Sequence, residues 1–202
     1  MKNIAVFASG RGTNFSAIIK AVKKGKINAN LSLLVCDNPK AGAISRAKRA
    51  GIKTVLVERK DFKNKEDFEF KIIELLEKEK VDLVVLAGFM RLLGPELVRR
   101  YKGRILNIHP ALLPSFKGIQ AIKDAFDYCV KVTGVTAHFV DAEPDHGPII
   151  LQQAVEIEKG ETPESLEKKI HKAEHKIYPQ AIKLFTEGKL KIEGRKVIIS
   201  NL

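Results

Sequence analysis

The chain has 202 residues, of which 45% are hydrophobic and 30% charged, a size and balance that exclude a disordered chain and favour one folded domain. Its apolar runs have the length of strands and stay well short of the ~20 residues that cross a bilayer, so we expect no membrane-spanning segment. The N-terminus enters a strand pattern directly, without a secretory signal, which predicts a cytoplasmic protein.

Charge and the cysteines narrow the possible partners. Lysine and arginine outnumber aspartate and glutamate by 36 to 24, a formal net charge of +12. Such an excess can indicate a nucleic-acid partner, but here the lysines alternate with glutamates along the predicted helices, as they do on solvated faces. We therefore expect no nucleic-acid partner.

Cys36 and Cys129 lie far apart in the sequence, which indicates reduced thiols rather than a disulfide or a metal pair.

The first half of the chain alternates between short apolar strands and amphipathic helices. Strands are predicted over residues 3–8, 31–36, 54–57, 83–87 and 104–107, and helices over 15–24, 41–50, 66–80 and 95–101. Continuous apolar strands separated by helices are typical of a parallel sheet that is covered on both faces. The pattern therefore predicts an α/β fold with a doubly wound, mostly parallel sheet.

The second half adds longer strands that can join the sheet in mixed orientation. Its predicted elements are a helix over 119–128, strands over 132–140 and 148–157, a final helix ending at Gly188, and a hairpin of 191–193 with 197–199. Thr162 as N-cap and Pro163 in the first turn signal where the final helix begins, and Pro179 should kink it. No repeat or linker interrupts the pattern, so we expect a single domain over 1–202.

A glycine-containing loop follows the first strand and opens the first helix. Its sequence is Ala8-Ser9-Gly10-Arg11-Gly12-Thr13-Asn14-Phe15. Backbone N–H groups at a turn and a helix N-terminus suit a phosphate. A dinucleotide fingerprint needs a third glycine where Phe15 stands, and no Walker lysine follows. Asp37, at the end of the second strand, nevertheless keeps a nicotinamide-dependent oxidoreductase open as an alternative.

A second motif, Asn107-Ile108-His109-Pro110, lies at the carboxyl end of a predicted parallel strand, where open α/β sheets place their ligands. If the strand stays extended through this motif, the side chains of Asn107 and His109 point the same way. An amide donor beside an imidazole can stabilise and protonate an oxyanion that develops at a carbonyl. The pair therefore indicates acyl-group transfer, against the alternative of a structural histidine.

An acidic loop, Asp141-Ala142-Glu143-Pro144-Asp145-His146-Gly147-Pro148, connects the two long predicted strands. A carboxylate from this loop can orient His109 and favour its protonated form. A solvated connecting turn is the competing interpretation, because proline and glycine suit it equally well.

One further segment matches the sequence motif of a metal site. Residues His171-Lys172-Ala173-Glu174-His175 match the H-x-x-E-H pattern of a zinc peptidase helix. A five-residue match of this kind arises easily by chance in a helix rich in lysine and glutamate. The sequence also singles out no distal residue as a third metal ligand. We therefore expect no metal site there. No serine lies in a G-x-S-x-G turn, so nothing indicates a covalent nucleophile.

Together these residues resemble the phosphoribosylglycinamide formyltransferases, folate-dependent enzymes of purine synthesis. The resemblance extends over nearly the whole chain, and its clearest segments are 8–14, 87–93, 107–110, 138–140 and 145–150. It implies a Rossmann-like formyltransferase fold and transfer of a formyl group from 10-formyltetrahydrofolate to the amino group of N1-(5-phospho-D-ribosyl)glycinamide, with no metal. The segment 8–14 points to the ribonucleotide substrate, whereas Asn-x-His-Pro with a later aspartate is shared by other users of 10-formyltetrahydrofolate.

The resemblance also implies residue roles. The catalytic group is Asn107, His109 and Asp145. The ribonucleotide-binding residues are Gly12, Thr13 and Asn14 for the phosphate and Glu174 for the ribose hydroxyls. The folate-binding residues are Lys65, Met90, Arg91, Leu92, Leu93 and Asn107. Two positions depart from the family pattern: Lys65 stands where some members have arginine, and His146 stands where a small residue is common.

Rival functions differ in what they require of the chain. A methionyl-tRNA formyltransferase shares the catalytic group but normally carries a further C-terminal domain, and a formyltetrahydrofolate deformylase usually carries an N-terminal one. A nicotinamide-dependent oxidoreductase requires cofactor binding at Gly10, Gly12 and Asp37. A nucleic-acid-binding protein requires binding that falls steeply with salt and does not need His109. The sequence leaves both a monomer and a homodimer open.

Overall fold

The structure is a computed structural model and describes residues 1–200. Its strands are β1 (Lys2–Phe7), β2 (Ala29–Cys36), β3 (Thr54–Leu56), β4 (Leu83–Leu86), β5 (Ile105–His109), β6 (Val132–Phe139), β7 (Ile149–Glu156), β8 (Leu190–Glu193) and β9 (Lys196–Ile199). Its helices are α1 (Thr13–Lys23), α2 (Gly42–Ala50), α3 (Lys65–Lys78), α4 (Pro95–Arg100), α5 (Ala121–Asp127) and α6 (Pro163–Thr186).

The seven-stranded sheet has the order β3-β2-β1-β4-β5-β6-β7, and β8 pairs with β9 in a separate hairpin. Strands β1 to β4 pair in parallel, whereas β6 and β7 pair antiparallel. The predicted α/β fold, a mostly parallel sheet with mixed C-terminal strands, is confirmed. The chain divides into two compact units, Met1–Leu106 and Asn107–Leu202. A single domain over 1–202 stays a prediction, and its last two residues lie outside the described part of the chain.

In the first unit, the central strands are buried along most of their length. Residues 4–7 of β1 and 33–36 of β2 are fully inaccessible to solvent, which agrees with their continuous apolar sequence. The registers place Phe7 opposite Val35 on one side and Leu86 on the other. This unit therefore has its own core, and the loops that follow β1 and β4 lie at one edge of it.

Two helices of the first unit begin earlier than predicted. Helix α1 begins at Thr13 rather than near Phe15, and Gly12 precedes it as N-cap in the left-handed conformation (φ 73°), which glycine adopts readily. Helix α3 begins at Lys65, because the side chain of Asn64 accepts a hydrogen bond from the Asp67 N–H at 2.7 Å. A single turn of 3-10 helix at Arg59–Asp61 was not predicted.

In the second unit, the long helix α6 packs against β6 and β7. Its buried side chains recur at helical spacing and include Leu166, Ile170, Ala173 and Ile177. The predicted Thr162 cap is confirmed as part of a capping box, in which Thr162 and Ser165 exchange side-chain-to-backbone hydrogen bonds of 3.1 and 3.2 Å. The helix continues through Pro179 without interruption, and the kink there stays a prediction.

Other boundaries differ by a few residues. Strand β5 continues to His109 rather than stopping at Asn107, so the condition for a common side-chain direction is met. Helix α5 is shorter than predicted, covering Ala121–Asp127, with exposed Ile119 preceding it. The Leu113–Pro114 peptide bond is cis. Across residues 1–200, no helix has the length and apolar character that crossing a bilayer requires.

Candidate active site

The end of β5 places two polar side chains of the second unit close together. Asn107 is half-buried and His109 is only 3% exposed. Since they are two positions apart on an extended strand, their side chains leave the same face. The apolar neighbour Ile108 points to the opposite face and is buried there. The strand thereby fixes an amide and an imidazole side by side.

Both ring nitrogens of His109 face oxygen atoms. Nε2 donates to the carbonyl oxygen of Phe116 at 2.8 Å, and Nδ1 lies 3.4 Å from Oδ2 of Asp145. Oxygen acceptors on both sides suit an imidazole that carries a proton on each nitrogen. The carboxylate of Asp145 balances the charge of that form.

Asp145 is held in an unusual conformation. Its φ of 49° lies in the left-handed region, which aspartate tolerates better than most residues. Oδ2 accepts a hydrogen bond from the backbone N–H of Gly118 at 2.9 Å, and the side chain is 13% exposed. The structure thus brings Asn107, His109 and Asp145 together. The sequence analysis suggested that a carboxylate from this loop orients His109. The catalytic roles of the three residues stay a proposal.

A further histidine, His138 on β6, completes this cluster and was not identified as a site residue from the sequence. Its Nδ1 donates to the Phe139 carbonyl at 2.7 Å, so Nε2 is left to accept from the side-chain amide of Asn107 at 3.2 Å. Burial lowers the pKa of His138 and thereby favours the neutral ring. Its place on β6, which neighbours β5 in the sheet, is the signal that could have identified His138 as a site residue.

In the first unit, the loop between β1 and α1 turns its carbonyl groups toward protein donors. The carbonyl of Ser9 accepts from the Asn38 side chain at 3.0 Å, that of Gly10 from the Ala43 N–H at 3.2 Å, and that of Arg11 from Nε of Arg46 at 2.8 Å. With its carbonyls held this way, the loop is suited to present N–H groups to an anion.

Gly12 is required at the start of α1 for two reasons. Its φ is positive, and a Cβ built on it would lie 2.9 Å from the backbone Cα of Ala43. Thr13 and Asn14 form the first turn of α1, and Asn14 is buried. Arg46 also donates to the Ser16 hydroxyl at 2.7 Å, which brings a guanidinium to this turn. Sequence reasoning did not identify Arg46.

The segment Met90–Leu93, which follows β4, exposes apolar side chains. Met90 is 68% and Leu92 is 69% exposed, an unusual state for large apolar residues that fits a ligand surface. The Met90 N–H donates to the Ser9 hydroxyl at 3.0 Å, so the segment is tied to the loop after β1. Leu93 is half-buried.

Arg91 in the same segment binds Asp37, the residue that kept the oxidoreductase alternative open. Arg91 Nε lies 2.5 Å from Oδ2 of Asp37, whose side chain is only 6% exposed. Phe15, fully buried, occupies the place of the third fingerprint glycine. This bulky side chain counts against a dinucleotide cofactor.

The remaining predicted residues lie on helices. Lys65 is exposed at the first position of α3. Glu174 is buried on α6, where its Oε2 lies 2.8 Å from Nδ1 of His171. Nε2 of His171 in turn lies 3.0 Å from Glu167, and both carboxylates raise the pKa of His171, Glu174 most. Residues 1–200 contain no cluster of three His, Cys, Asp or Glu side chains arranged to hold a metal.

Comparison with known proteins identifies the family of this chain. The family model described as formyl transferase matches residues 2–182. The phosphoribosylglycinamide formyltransferase of Bacillus subtilis (strain 168) is 50% identical over 183 residues, which cover 91% of this chain and 94% of that protein.

Solved structures of similar proteins match 92–100% of the chain. The crystal structure of glycinamide ribonucleotide transformylase 1 from Symbiobacterium toebii has a TM-score of 0.97 and 43% identity, covering 100% of this chain and 95% of that one. The corresponding structure from Geobacillus kaustophilus has a TM-score of 0.90 and 47% identity, covering 92% and 99%. The chain belongs to the formyl transferase family and, within it, to the phosphoribosylglycinamide formyltransferases.

Proposed function

We propose that this chain transfers the formyl group of 10-formyltetrahydrofolate to the amino group of N1-(5-phospho-D-ribosyl)glycinamide, with Asn107, His109 and Asp145 as its catalytic group. The products are the N2-formyl ribonucleotide and tetrahydrofolate, in de novo purine biosynthesis. The observation that carries the assignment of these residues is the geometry at the end of β5, where an amide and an imidazole lie together and a carboxylate lies 3.4 Å from the imidazole.

The substrate's own amine is the nucleophile. Its lone pair forms a bond to the formyl carbon, and the carbonyl oxygen takes up the electron pair of the C=O bond. When this tetrahedral intermediate collapses, the bond from carbon to N10 of the folate breaks. One proton leaves the attacking nitrogen and one proton reaches N10, with water as the carrier. Tetrahydrofolate therefore leaves with an uncharged N10 amine.

Asn107 and His109 stabilise the negative charge that develops on the formyl oxygen. An amide N–H and an imidazolium N–H are strong donors for an oxyanion in a site from which water is excluded. For His109 this requires that its Nε2–H turn from the Phe116 carbonyl, which it contacts at 2.8 Å, to the formyl oxygen when the substrates bind. His109 is 3% exposed, so its charge is screened little by solvent. The pair acts only as charge develops, which is the condition for lowering the barrier rather than tightening substrate binding.

Asp145 and His138 are assigned supporting roles. The carboxylate of Asp145 lies 3.4 Å from Nδ1 of His109 and orients that ring. Neutral His138 accepts from the Asn107 amide and so fixes which way the amide faces. We expect loss of either partner to slow the chemical step more than it weakens substrate binding.

The two substrates are assigned to different residues. Backbone groups of Gly12, Thr13 and Asn14 hold the ribonucleotide phosphate, and Glu174 holds its ribose hydroxyls. The assignment rests on the orientation of the loop carbonyls away from the anion and on the helix N-terminus at Thr13. Lys65, Arg91 and Asn107 supply polar contacts to the formyl folate.

The exposed apolar side chains of the segment after β4 supply the packing surface for the folate ring. They are Met90, Leu92 and the half-buried Leu93. The folate is a co-substrate that carries the one-carbon unit, and each proposed step uses side chains, substrate groups and water. We also assign the enzyme to the cytoplasm, with small molecules rather than nucleic acid as its partners, and both a monomer and a homodimer are compatible with this proposal.

The test measures formyl transfer from 10-formyltetrahydrofolate in the presence and absence of the ribonucleotide. The proposal predicts tetrahydrofolate release that requires the ribonucleotide and matches formylated product one for one. Formate release without an acceptor would instead identify a deformylase, and formylation of methionyl-tRNA in place of the ribonucleotide would identify a tRNA enzyme. Either result would overturn the substrate assignment.

A further inference from the structure

Arg195, in the turn of the C-terminal hairpin, contacts the loop that carries Asp145. Its Nη1 donates to Nε2 of His146 at 2.8 Å, and its Nη2 donates to the His146 carbonyl at 2.8 Å. His146 Nδ1 in turn lies 2.8 Å from Oδ2 of Asp141. Since Nε2 accepts from the guanidinium, Nδ1 carries the ring proton and donates it to the carboxylate. One guanidinium thus holds both the side chain and the backbone of the residue next to Asp145.

The loop, residues 141–147, needs such support because its conformation is demanding. Asp145 has a left-handed φ of 49°, a conformation that costs free energy unless its surroundings hold it. At Gly147 the backbone passes so close to the end of β6 that a Cβ would lie 1.9 Å from the Phe139 carbonyl oxygen. The far end of the loop is therefore fixed by packing, and the contacts of Arg195 fix the residue just before it.

The hairpin that carries Arg195 is itself anchored in the second unit. Strand β9 packs against β7. The Lys189 N–H donates to the Leu184 carbonyl of α6 at 3.0 Å, and the Ser200 N–H donates to the Lys189 carbonyl at 2.9 Å. A guanidinium on an anchored hairpin loses less conformational entropy when it binds than one on a free tail.

We propose that Arg195 is a positioning residue for formyl transfer, acting through His146 to hold the carboxylate of Asp145 beside His109. The inference rests on the catalytic role proposed for Asp145. It assigns a function to the C-terminal hairpin and to His146, one of the two positions at which this chain departs from the family pattern. The guanidinium spans a ring nitrogen and a carbonyl oxygen, a geometry that lysine cannot reproduce.

The test compares Arg195→Ala with Lys196→Ala, which removes the same charge from an exposed neighbour on the same hairpin. Arg195→Ala is expected to lower kcat about tenfold, with the KM of each substrate unchanged within about twofold. Lys196→Ala is expected to stay within about twofold of wild type in all constants. Arg195→Lys should resemble the alanine variant, because the role is geometric.

A second readout does not depend on activity. Amide hydrogen exchange of residues 141–147 should be faster in Arg195→Ala than in wild type and unchanged in Lys196→Ala. A double variant, Arg195→Ala with His146→Ala, should lose no more activity than the worse single variant, since both act through one contact. The proposal would be overturned by unchanged hydrogen exchange of residues 141–147 in Arg195→Ala, or by additive losses of activity in the double variant. Equal effects of Arg195→Ala and Lys196→Ala on kcat would also overturn it. A wild-type enzyme without formyl transfer would instead refute the proposed function and leave the exchange result valid.

Discussion

The side-chain amide of Asn107 donates to Nε2 of His138 across neighbouring strands, at 3.2 Å. Because His138 gives its one ring proton to the Phe139 carbonyl, its Nε2 can only accept, and the amide nitrogen of Asn107 must face it. An asparagine held in this way presents its remaining N–H in one direction. A structural histidine thus orients a donor proposed to contact the reacting formyl group.

The first prediction concerns this orientation. His138→Phe keeps an aromatic ring of similar size but removes the acceptor, so the Asn107 amide is free to rotate. We expect kcat to fall about 10- to 100-fold, with KM for the ribonucleotide little changed, as measured by steady-state formyl transfer. His175→Gln on the exposed side of α6 is the control. A His138→Phe enzyme with wild-type kcat would remove His138 from the site.

The second prediction concerns the charge beside His109. Asp145→Asn keeps the shape of the side chain, and its oxygen can still accept from the Gly118 N–H, but an amide cannot stabilise the imidazolium. At neutral pH we expect kcat to fall at least about 100-fold, because the His109 ring loses the carboxylate that orients it and faces it at 3.4 Å. Steady-state formyl transfer by the variant and by wild type checks this. Activity equal to wild type at neutral pH would contradict the role.

The third prediction separates backbone strain from close packing at the loop after β1. Gly12 and Gly25 share a positive φ, 73° and 68°, but a Cβ on Gly12 would lie 2.9 Å from the backbone of Ala43, whereas a Cβ on Gly25 would meet nothing within 4 Å. We expect Gly25→Ala to cost about 1 kcal/mol of unfolding free energy, measured by urea titration.

Gly12→Ala should cost about 2 to 4 kcal/mol, because it adds a backbone clash to the same strain. It should also raise KM for the ribonucleotide, since the proposed phosphate loop must move, whereas Gly25→Ala should leave KM unchanged. Equal losses of stability in the two variants would show that α2 yields to the added methyl group.

The fourth prediction concerns pH and stability. Glu174 and Glu167 raise the pKa of His171 above its ordinary value of 6.5, so the folded state binds a proton there more tightly than the unfolded state. The stabilisation is complete below pH 6.5 and is lost as pH rises through the raised pKa. His171→Gln should therefore be less stable than wild type by about 1 kcal/mol at mildly acidic pH and nearly equal at alkaline pH. Urea titrations at both pH values measure this difference, and a difference that grew with pH would contradict the assignment.

The sequence predicted the sheet well because its signals are local. Apolar runs such as residues 83–87 and cap residues such as Thr162 act within a few positions, and their elements appear in the structure. Element ends were predicted less well. Helix α1 starts two residues earlier than predicted, after the left-handed Gly12, where a Cβ would meet Ala43, a residue distant in sequence.

The site was less predictable because its contacts join distant residues. Asn107 and His109 could be paired from strand periodicity alone. The roles of His138 and Arg195 depend on partners 31 and 49 residues away, and no local pattern encodes such distances. Asp37 looked available in the sequence, and its ion pair with Arg91 became visible only in three dimensions.

His109 is proposed to take part directly in formyl transfer to the ribonucleotide. The most direct measurement is single-turnover formyl transfer, with both substrates saturating, in wild type, His109→Ala and the control His175→Ala. We expect the rate to fall at least about 1,000-fold in His109→Ala, with substrate binding retained, and to equal that of wild type in the control. A His109→Ala enzyme that formylated the ribonucleotide within about tenfold of the wild-type rate would contradict the account.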